Sequence, residues 1–300
     1  MQLQFQEDFH FKICELAALS SYTTKITLIE FFNLKEWLES GLSLKAAISS
    51  LAPSKFTQQI ESTHFEEAQR AVEQCVRKDY QVIYPGHEIY PEEFLFLDRP
   101  PLFLSYIGVP AWLTKNRISV VGSREMSQDT VEWMELYFDL FLKKTKAVTI
   151  SGAAYGIDQL AHRLSVRNGL PSIAFLPSGL NQIYPRKFSY DIENLIQARG
   201  VVVSEFLPQI EMKKHHFERR NRLISGLSEI LFIAQARRKS GSMITARLAL
   251  AQNKNICVLP SSPMQAQNLG NIDLLFDGAQ PLRDEKDLIA LWNREVLKLA

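Results

Sequence analysis

The chain is 300 residues long, with 46% hydrophobic and 22% charged residues and a formal net charge of +1. This composition is typical of a soluble globular protein with two domains and a core that needs no cross-links. Three widely spaced cysteines without a CxxC pair indicate thiols in a reducing compartment. The acidic start and the lack of a long apolar run exclude a signal peptide and a membrane span. We therefore expect a cytoplasmic protein that does not bind membranes.

The small net charge conceals an uneven distribution along the chain. Residues 1–110 contain 9 Lys and Arg against 15 Asp and Glu, whereas residues 111–300 contain 25 against 18. A polyanion would be attracted to the second part and repelled by the first. A domain of this size can also carry such a charge for solubility alone, so the asymmetry does not by itself decide the ligand.

The first third of the chain has two different patterns. Apolar residues at helical spacing run from Phe9 to about Lys78 and predict a small helical domain over residues 1–78. Residues 79–110 predict a connector of two strands and a short helix, with Pro91 at the first helical position.

From Lys115 onward, strand-length apolar runs alternate with helical stretches. Such alternation predicts an α/β domain over residues 111–283, with a mostly parallel, doubly wound sheet covered by helices on both faces. The predicted strands are Ile118–Val121, Ala147–Ile150, Ser172–Leu176, Val201–Ser204, Glu229–Ala234 and Ile256–Leu259. The predicted helices are Gln128–Lys144, Ile157–Asn168, Phe188–Ala198, Phe217–Leu227 and Met243–Gln252. A last helix is predicted over residues 284–300.

Two loops at predicted strand ends contain the small residues that an anion site needs. The first is Gly122-Ser123-Arg124, and the second runs from Gly152 to Gly156 and Asp158. Ligands of parallel sheets bind at this edge, where backbone N–H groups and helix N-termini can approach a phosphate. Arg124 adds a bidentate phosphate donor. Alternatively, Gly152 and Gly156 only permit tight turns.

Further basic and small residues follow later strands. The third loop carries three cations ending in Lys239 and then the turn Ser240-Gly241-Ser242. Other cations are Arg186 and Lys187 after Tyr184-Pro185, and the dense run that contains Arg220-Asn221-Arg222. A solvated helix face is the ordinary interpretation of such a run, and Tyr184 could serve a turn as readily as stack on a base.

Sequence patterns for catalysis are weak. His215-His216 has no companion ligands at metal spacing, and Asp158 with His162 fits a structural hydrogen bond better than an acid–base pair. The chain lacks GxGxxG, GxxxxGK[ST] and GxSxG, so NAD binding, ATP hydrolysis and α/β-hydrolase chemistry lose support. We predict no catalytic residue, no metal and no cofactor.

Taken in order, these motifs resemble the DprA or Smf family of DNA-processing proteins. The resemblance covers roughly residues 80–283. It depends on Gly122-Ser-Arg124, Ser151–Asp158, Ala161-His162, Tyr184-Pro185, Ser204-Glu205, Phe217, Arg220-Asn-Arg222, Ser240-Gly-Ser242, Thr245-Ala246 and Gly278-Ala279.

The resemblance implies a Rossmann-like fold that binds single-stranded DNA without hydrolysing anything. It also implies a homodimer that protects incoming DNA and loads the recombinase RecA during natural transformation, with a SAM-like domain over residues 1–78. The family's DNA contacts correspond to Arg124, the cations after Tyr184-Pro185, Arg220 and Arg222. The full set that we predict to bind nucleic acid is Gly122, Ser123, Arg124, Gly152, Gly156, Arg186, Lys187, Arg220, Asn221, Arg222, Lys239, Ser240, Gly241 and Ser242.

The sequence departs from the family pattern at Phe188, Glu218, Gln235, Pro260-Ser261 and Asn271, which directly follows Gly270. These departures leave the details of the loop after the last predicted strand open. We expect no C-terminal winged-helix domain, since few residues follow Ala279.

The main alternative is a nucleotide-processing Rossmann enzyme that releases the base from nucleoside monophosphates. Those enzymes carry PGGxGTxxE with a catalytic glutamate, and residues 236–246 contain no glutamate. A scaffold that has lost its ligand is a third possibility, against which the retained arginines argue.

Overall fold

The computed structural model describes residues 70, 71 and 73–296. The helical domain predicted over residues 1–78 therefore lies almost entirely outside the described residues. The described residues divide into a small unit, which contains Ser178–Gln182, Ser204–Glu211 and the described residues up to Tyr106, and a large unit. The large unit comprises Ile107–Pro177, Ile183–Val203 and the residues from Met212 onward. The domain limits expected at residues 78, 110 and 283 stay a prediction.

The small unit contains an antiparallel strand pair. A helix ending at residue 78 leads into β1, Gln81–Ile83, which pairs with the first three residues of β2, Leu104–Gly108. A 3₁₀ helix, Glu92–Phe96, lies between them. Both predicted strands and the short helix are confirmed, although Pro91 precedes the first helical residue instead of being it.

The large unit is built on a parallel sheet. Its strands lie in the order β6-β5-β4-β3-β7-β8-β9, and every neighbouring pair is parallel. The strands are β3 Arg117–Val121, β4 Val148–Ser151, β5 Ser172–Phe175, β6 Val201–Ser204, β7 Ile230–Ile233, β8 Asn255–Val258 and β9 Gln280–Pro281. The six predicted strands are confirmed to within one residue, and β9 was not predicted.

Helices connect the successive strands. Between β3 and β4, α1 and α2 are joined by a π-helical turn at Met134–Phe138. The helices are α1 Gln128–Trp133, α2 Asp139–Thr145, α3 Ile157–Arg167, α4 Ser189–Gln197, α5 His216–Gly226, α6 Gly241–Ala251, α7 Leu269–Phe276 and α8 Glu285–Glu295. All five helices predicted between strands are confirmed to within two residues, apart from the π turn, and α7 was not predicted.

The two faces of the sheet are covered by different helices. Ile118 and Val120 of β3 belong to a buried cluster with Phe138, Phe141 and Trp292, from the π turn, α2 and α8. Alternate residues of a strand point to opposite faces, and the intervening Ser119 donates a hydrogen bond from Oγ to the Ile224 carbonyl of α5 at 2.6 Å. Each fully buried Phe contributes about 1.5–3 kcal/mol. The predicted doubly wound α/β fold is thereby confirmed.

The direction in which successive strands are added to the sheet reverses between β3 and β7. After β6 the chain crosses back so that β7 pairs with β3, and the carboxyl ends of both strands open onto the same edge. This is where parallel sheets form ligand crevices. Asn271 of α7 ties neighbouring strand ends together, because its Nδ2 donates to the carbonyls of Ala234 at 3.0 Å and Leu259 at 3.1 Å.

Candidate nucleic-acid interface

The loops after β3 and β4 are packed against each other. The Ile157 N–H donates to the Ser123 carbonyl at 3.1 Å. Gly156 has φ +80°, and a Cβ on it would overlap the Ser123 carbonyl oxygen. A Cβ on Gly122 would meet the Ile157 side chain. Both glycines therefore serve the close approach of the two loops, which supports the turn interpretation of Gly156.

A buried carboxylate organises the backbone of both loops. Asp158, in the first turn of α3, is 4% exposed and accepts a hydrogen bond from the Ala154 N–H at 3.4 Å, and the N–H groups of Gly122 and Gly152 also face it and lower its pKa. Burial raises the pKa of this carboxyl, and Arg220 and the three N–H groups act in the opposite direction. The backbone of the two loops that were expected to hold an external phosphate is thus arranged around a carboxylate of the protein itself.

Arg220 supplies the countercharge inside the same structure. Its Nη1 lies 3.7 Å from Asp158 Oδ2, and the residue is 4% exposed. A Cβ on Gly152 would overlap that Nη1 atom, so Gly152 leaves the space that the guanidinium needs. Burial lowers the pKa of Arg220 to about 10, which still keeps the side chain cationic at neutral pH.

A recess opens beside this ion pair. We call the depression lined by Arg124, Tyr155, Tyr184, Phe217 and Arg220 the aromatic recess. The Arg124 guanidinium carbon lies 5.4 Å from the centre of the Phe217 ring, and that of Arg220 lies 5.7 Å from it. Tyr184 meets Phe217 edge-on, with ring centres 5.9 Å apart. The arrangement combines exposed cationic charge at Arg124 with aromatic surface.

The structure brings some of the predicted residues together in this recess. Arg124, Gly152 and Arg220 line it, and Gly122, Ser123 and Gly156 form the loops behind it. Arg186 and Lys187 are exposed and directly follow Pro185, which also lines the recess. Asn221 is buried, and Arg222 is half-buried; neither lines the recess.

The third small-residue loop lies elsewhere. Lys239, Ser240 and Gly241 line a separate cleft with residues of α6 and α7, among them Leu250 and Leu274. Ser240 is the N-cap residue of α6, and Gly241 and Lys239 are exposed. Ser242 is buried in the first turn of α6. These four residues form a second group that does not line the aromatic recess.

His162 has a structural hydrogen bond. Its Nδ1 lies 2.7 Å from Ser172 Oγ, which in turn donates to the Thr149 carbonyl at 2.9 Å. Since Ser172 uses its proton there, His162 carries its own proton on Nδ1. Burial lowers the pKa of His162 to about 3, so the ring is neutral at physiological pH. The prediction of a structural role is confirmed.

Some recess residues were absent from the predicted set. Phe217 and Arg220 are three residues apart on α5, a spacing that places both side chains on one helix face. Because Arg220 was in the predicted set, this spacing could have added Phe217 to it. Tyr155 lies between Ala154 and Gly156 of the second loop and is 41% exposed, and nothing in its position distinguishes it from a turn residue.

Two of the departures from the family pattern have clear contacts. Gln235 is fully buried and its Oε1 accepts from the Ser127 N–H at 2.9 Å, which holds the start of α1. Phe188 is buried with its ring centre 5.6 Å from that of His162. Glu218, by contrast, is an exposed residue of α5.

The parallel sheet with its reversal between β3 and β7, and a site at the carboxyl ends of the strands, define a Rossmann-like α/β protein. The family model described as DNA recombination-mediator protein A matches residues 81–293. The chain belongs to this family.

Known relatives are similar over the same region. Protein Smf of Escherichia coli is 37% identical over 212 residues, which are 70% of this chain and 56% of that protein. DNA processing protein DprA of Streptococcus pneumoniae is 30% identical over 203 residues, 68% of this chain and 71% of that one. The chain thus matches little more than half the length of the Escherichia coli relative.

Solved structures of the family have the same fold. DNA processing protein A of Streptococcus pneumoniae superposes with a TM-score of 0.72 at 25% identity, covering 89% of this chain and 98% of that one. The Helicobacter pylori protein, whose mode of binding single-stranded DNA has been described structurally, gives a TM-score of 0.63 at 29% identity over 72% and 96% of the chains. None of the described helices of the present chain is long and apolar enough to cross a membrane.

Proposed function

We propose that the chain binds single-stranded DNA at the aromatic recess and carries out no chemistry on it. The observation that carries the proposal is the Phe217 ring with two guanidinium groups within 6 Å of its centre. Aromatic faces stack on unpaired bases, and arginine neutralises the adjoining phosphates. A duplex keeps its bases stacked inside, so such a recess favours a single strand.

The phosphate contacts are assigned to side chains and not to loop amides. Gly122 leaves space for Ile157 and Gly152 leaves space for the Arg220 guanidinium, so in this proposal these glycines position Arg124 and Arg220. Arg124 is exposed at the recess, and Arg186 and Lys187 extend the cationic surface beyond Pro185. In this proposal Asn221 and Arg222 support the recess from α5, and Lys239 with Ser240–Ser242 is an outer contact.

The proposal is tested by binding of a fluorescent oligothymidylate, followed by anisotropy across a salt series. Arg124→Ala is expected to weaken binding about tenfold and to reduce the salt slope by about 0.7, the value for one phosphate on a single strand. Arg238→Ala is the matched control, because it removes the same charge from an exposed arginine that is paired with Asp273 at 2.7 Å.

The control should change affinity less than about twofold. A wild-type protein that binds duplex as well as single strands, or an Arg124→Ala variant that behaves like Arg238→Ala, would refute the proposal.

Binding without catalysis is proposed over the nucleotide-processing alternative on chemical grounds. Asp158 is the carboxylate paired with Arg220 of the recess, and it is buried and hydrogen-bonded to the Ala154 N–H of the loop backbone. A carboxylate that is only 4% exposed and already paired with Arg220 offers a substrate little access to its oxygen atoms. Release of free base from nucleoside monophosphates, measured by chromatography, would support the alternative of a nucleotide-processing enzyme.

We further propose that the protein protects incoming DNA and loads RecA in the cytoplasm during natural transformation. Support comes from membership of the recombination-mediator family and from relatives named DNA processing protein DprA. The test is the lag before RecA hydrolyses ATP on single-stranded DNA covered by a single-strand-binding protein. The wild-type chain should shorten the lag and Arg124→Ala should not.

The expected homodimer has a candidate surface on the large unit. Leu250 of α6 and Phe276 of α7 are 54% and 89% exposed, and a cleft lined by Leu250 and Leu274 lies between these helices. Apolar residues exposed together mark association surfaces. If this surface pairs two copies of the chain, the Leu250→Glu and Phe276→Glu variants should have the mass of a monomer in light scattering. Variants that remain dimeric would show that the interface lies elsewhere.

A further inference from the structure

A second cavity lies at the carboxyl edge of the same sheet and is separate from the aromatic recess. Its volume is about 380 Å³, within the range of small-molecule sites, about 300–1,000 Å³. Ala234 after β7 and Leu259 after β8 contribute to its lining, together with Leu282. We call it the Trp133 cavity.

One wall is a fixed aromatic ring. The Trp133 indole donates from Nε1 to the Arg283 carbonyl at 2.9 Å and packs on Phe232, with ring centres 5.4 Å apart. Trp133 is held from two directions and is only partly buried. With the apolar side chains of Ala234, Leu259 and Leu282, it makes a surface suited to a flat ring.

Another part of the lining is polar. The segment after β8 contributes Ser261, Ser262, Gln265 and Asn268 to the lining. Asn268 is 5% exposed; its Nδ2 donates to Gln265 Oε1 at 2.8 Å, and its Oδ1 is buried with no hydrogen-bond partner among the described residues. A buried polar atom of this kind is costly unless something pairs with it.

The charges around the cavity argue against a phosphate. Arg283 is the one cation among the described residues of the lining, and both its Nε and its Nη2 donate to Asp287, at 2.9 and 2.8 Å. Asp129 adds an exposed carboxylate. A ligand that fits must therefore be flat, rich in hydrogen-bonding groups and uncharged where it meets the protein.

From these features we propose that the Trp133 cavity binds a nucleobase, stacked on Trp133 and hydrogen-bonded by the serine and amide side chains after β8. The base can belong to a free nucleoside or to a nucleotide of a bound strand. The cavity adjoins the helix that leads out of the first loop, since Asp129 and Trp133 of α1 follow Arg124 by five and nine residues. The inference adds a second base site to the one proposed at Phe217 and does not depend on it.

The test uses adenosine, thymidine and adenosine monophosphate as probes in calorimetric titrations of the full chain. We expect binding of at least one nucleoside, with the monophosphate binding no tighter than adenosine. Ser262→Trp fills the cavity from an exposed lining position and should weaken binding at least tenfold. Ala266→Trp adds the same side chain to an exposed residue of the same segment outside the lining, and should change binding less than twofold.

A second arm measures oligothymidylate affinity for the same variants and identifies the source of the base. If Ser262→Trp weakens only nucleoside binding, the ligand is a free nucleoside; if it weakens only oligonucleotide binding, the base comes from a strand. The inference is overturned if Ser262→Trp changes neither arm, or if the monophosphate binds tenfold tighter than adenosine. Arg124→Ala in the oligonucleotide arm reports on the aromatic recess separately.

Discussion

The loops after β3 and β4 differ in structure from the loop after β7, although all three are rich in small residues. All three contain glycine and serine at the junction between a strand and the following helix. The first two are joined to each other by the hydrogen bond from Ile157 to Ser123 and are arranged around Asp158, whose carboxylate accepts the Ala154 N–H and is paired with Arg220. Among the residues that the structure describes, no buried carboxylate accepts a hydrogen bond from the N–H groups of the third loop, and Lys239 and Gly241 are exposed. A glycine-serine loop at a strand end becomes a rigid site when a buried countercharge holds it.

The largest effect is expected from Gly152→Ala. The added Cβ would displace Arg220 and separate a buried ion pair, so we expect a loss of about 5 kcal/mol in unfolding free energy. Gly241→Ala, in the third loop, meets no atom within 4 Å and should be neutral or stabilising by up to about 1 kcal/mol. Urea titrations of both variants measure the two changes in unfolding free energy. Equal stabilities would contradict the proposed difference between the second and third loops.

Asp158→Asn tests the buried countercharge directly. The amide keeps the shape but leaves the Arg220 charge uncompensated, at an expected cost of about 3 kcal/mol. Arg220→Met removes the second charge, and the double variant should be more stable than Asp158→Asn alone. Additive losses in this double-mutant cycle would show that the two residues do not interact.

Acid should weaken the large unit through its buried histidines. Burial holds the pKa of His162 at about 3 and that of His216 at about 4, below the ordinary 6.5. The unfolded chain takes up these protons first, so stability falls as the pH drops below 6.5. Between pH 8 and pH 5, His162 should account for about 2 kcal/mol.

His162→Asn keeps a donor near Ser172 and should remove that share of the pH dependence in urea titrations. Asp139, whose pKa the neighbouring Lys143, Arg167 and Asn168 lower to about 2, loses its contribution only at more acidic pH. An unchanged slope between pH 8 and pH 5 in His162→Asn would contradict the assignment.

The smallest effect is expected at the third loop. Lys239→Ala and Ser240→Ala should weaken oligothymidylate binding by about twofold or less, since neither residue lines the aromatic recess and the exposed charge of Lys239 adds only a screened attraction. Anisotropy titrations beside Arg124→Ala measure the ratio. A loss as large as that of Arg124→Ala would remove the distinction between the two groups of loops.

The sequence predicted the strands, the helices between them and the doubly wound class because periodicity and strand-length apolar runs are local signals. It missed α7 and β9, which are short and follow an irregular segment. Gly152 and Arg220 were both proposed as DNA contacts, yet the contact between them joins residues that are 68 positions apart in the chain. The Trp133 cavity was equally invisible, since α1 and the segment after β8 meet only in the folded sheet.

The space that Gly152 leaves for Arg220 also has an evolutionary consequence. A side chain at position 152 and a long one at position 220 compete for the same volume, so neither position can change freely alone. In a set of related chains, a larger residue at position 152 should occur with a shorter one at position 220. The two positions should therefore be inherited as a pair, and a chain that breaks this pairing should build its DNA site differently.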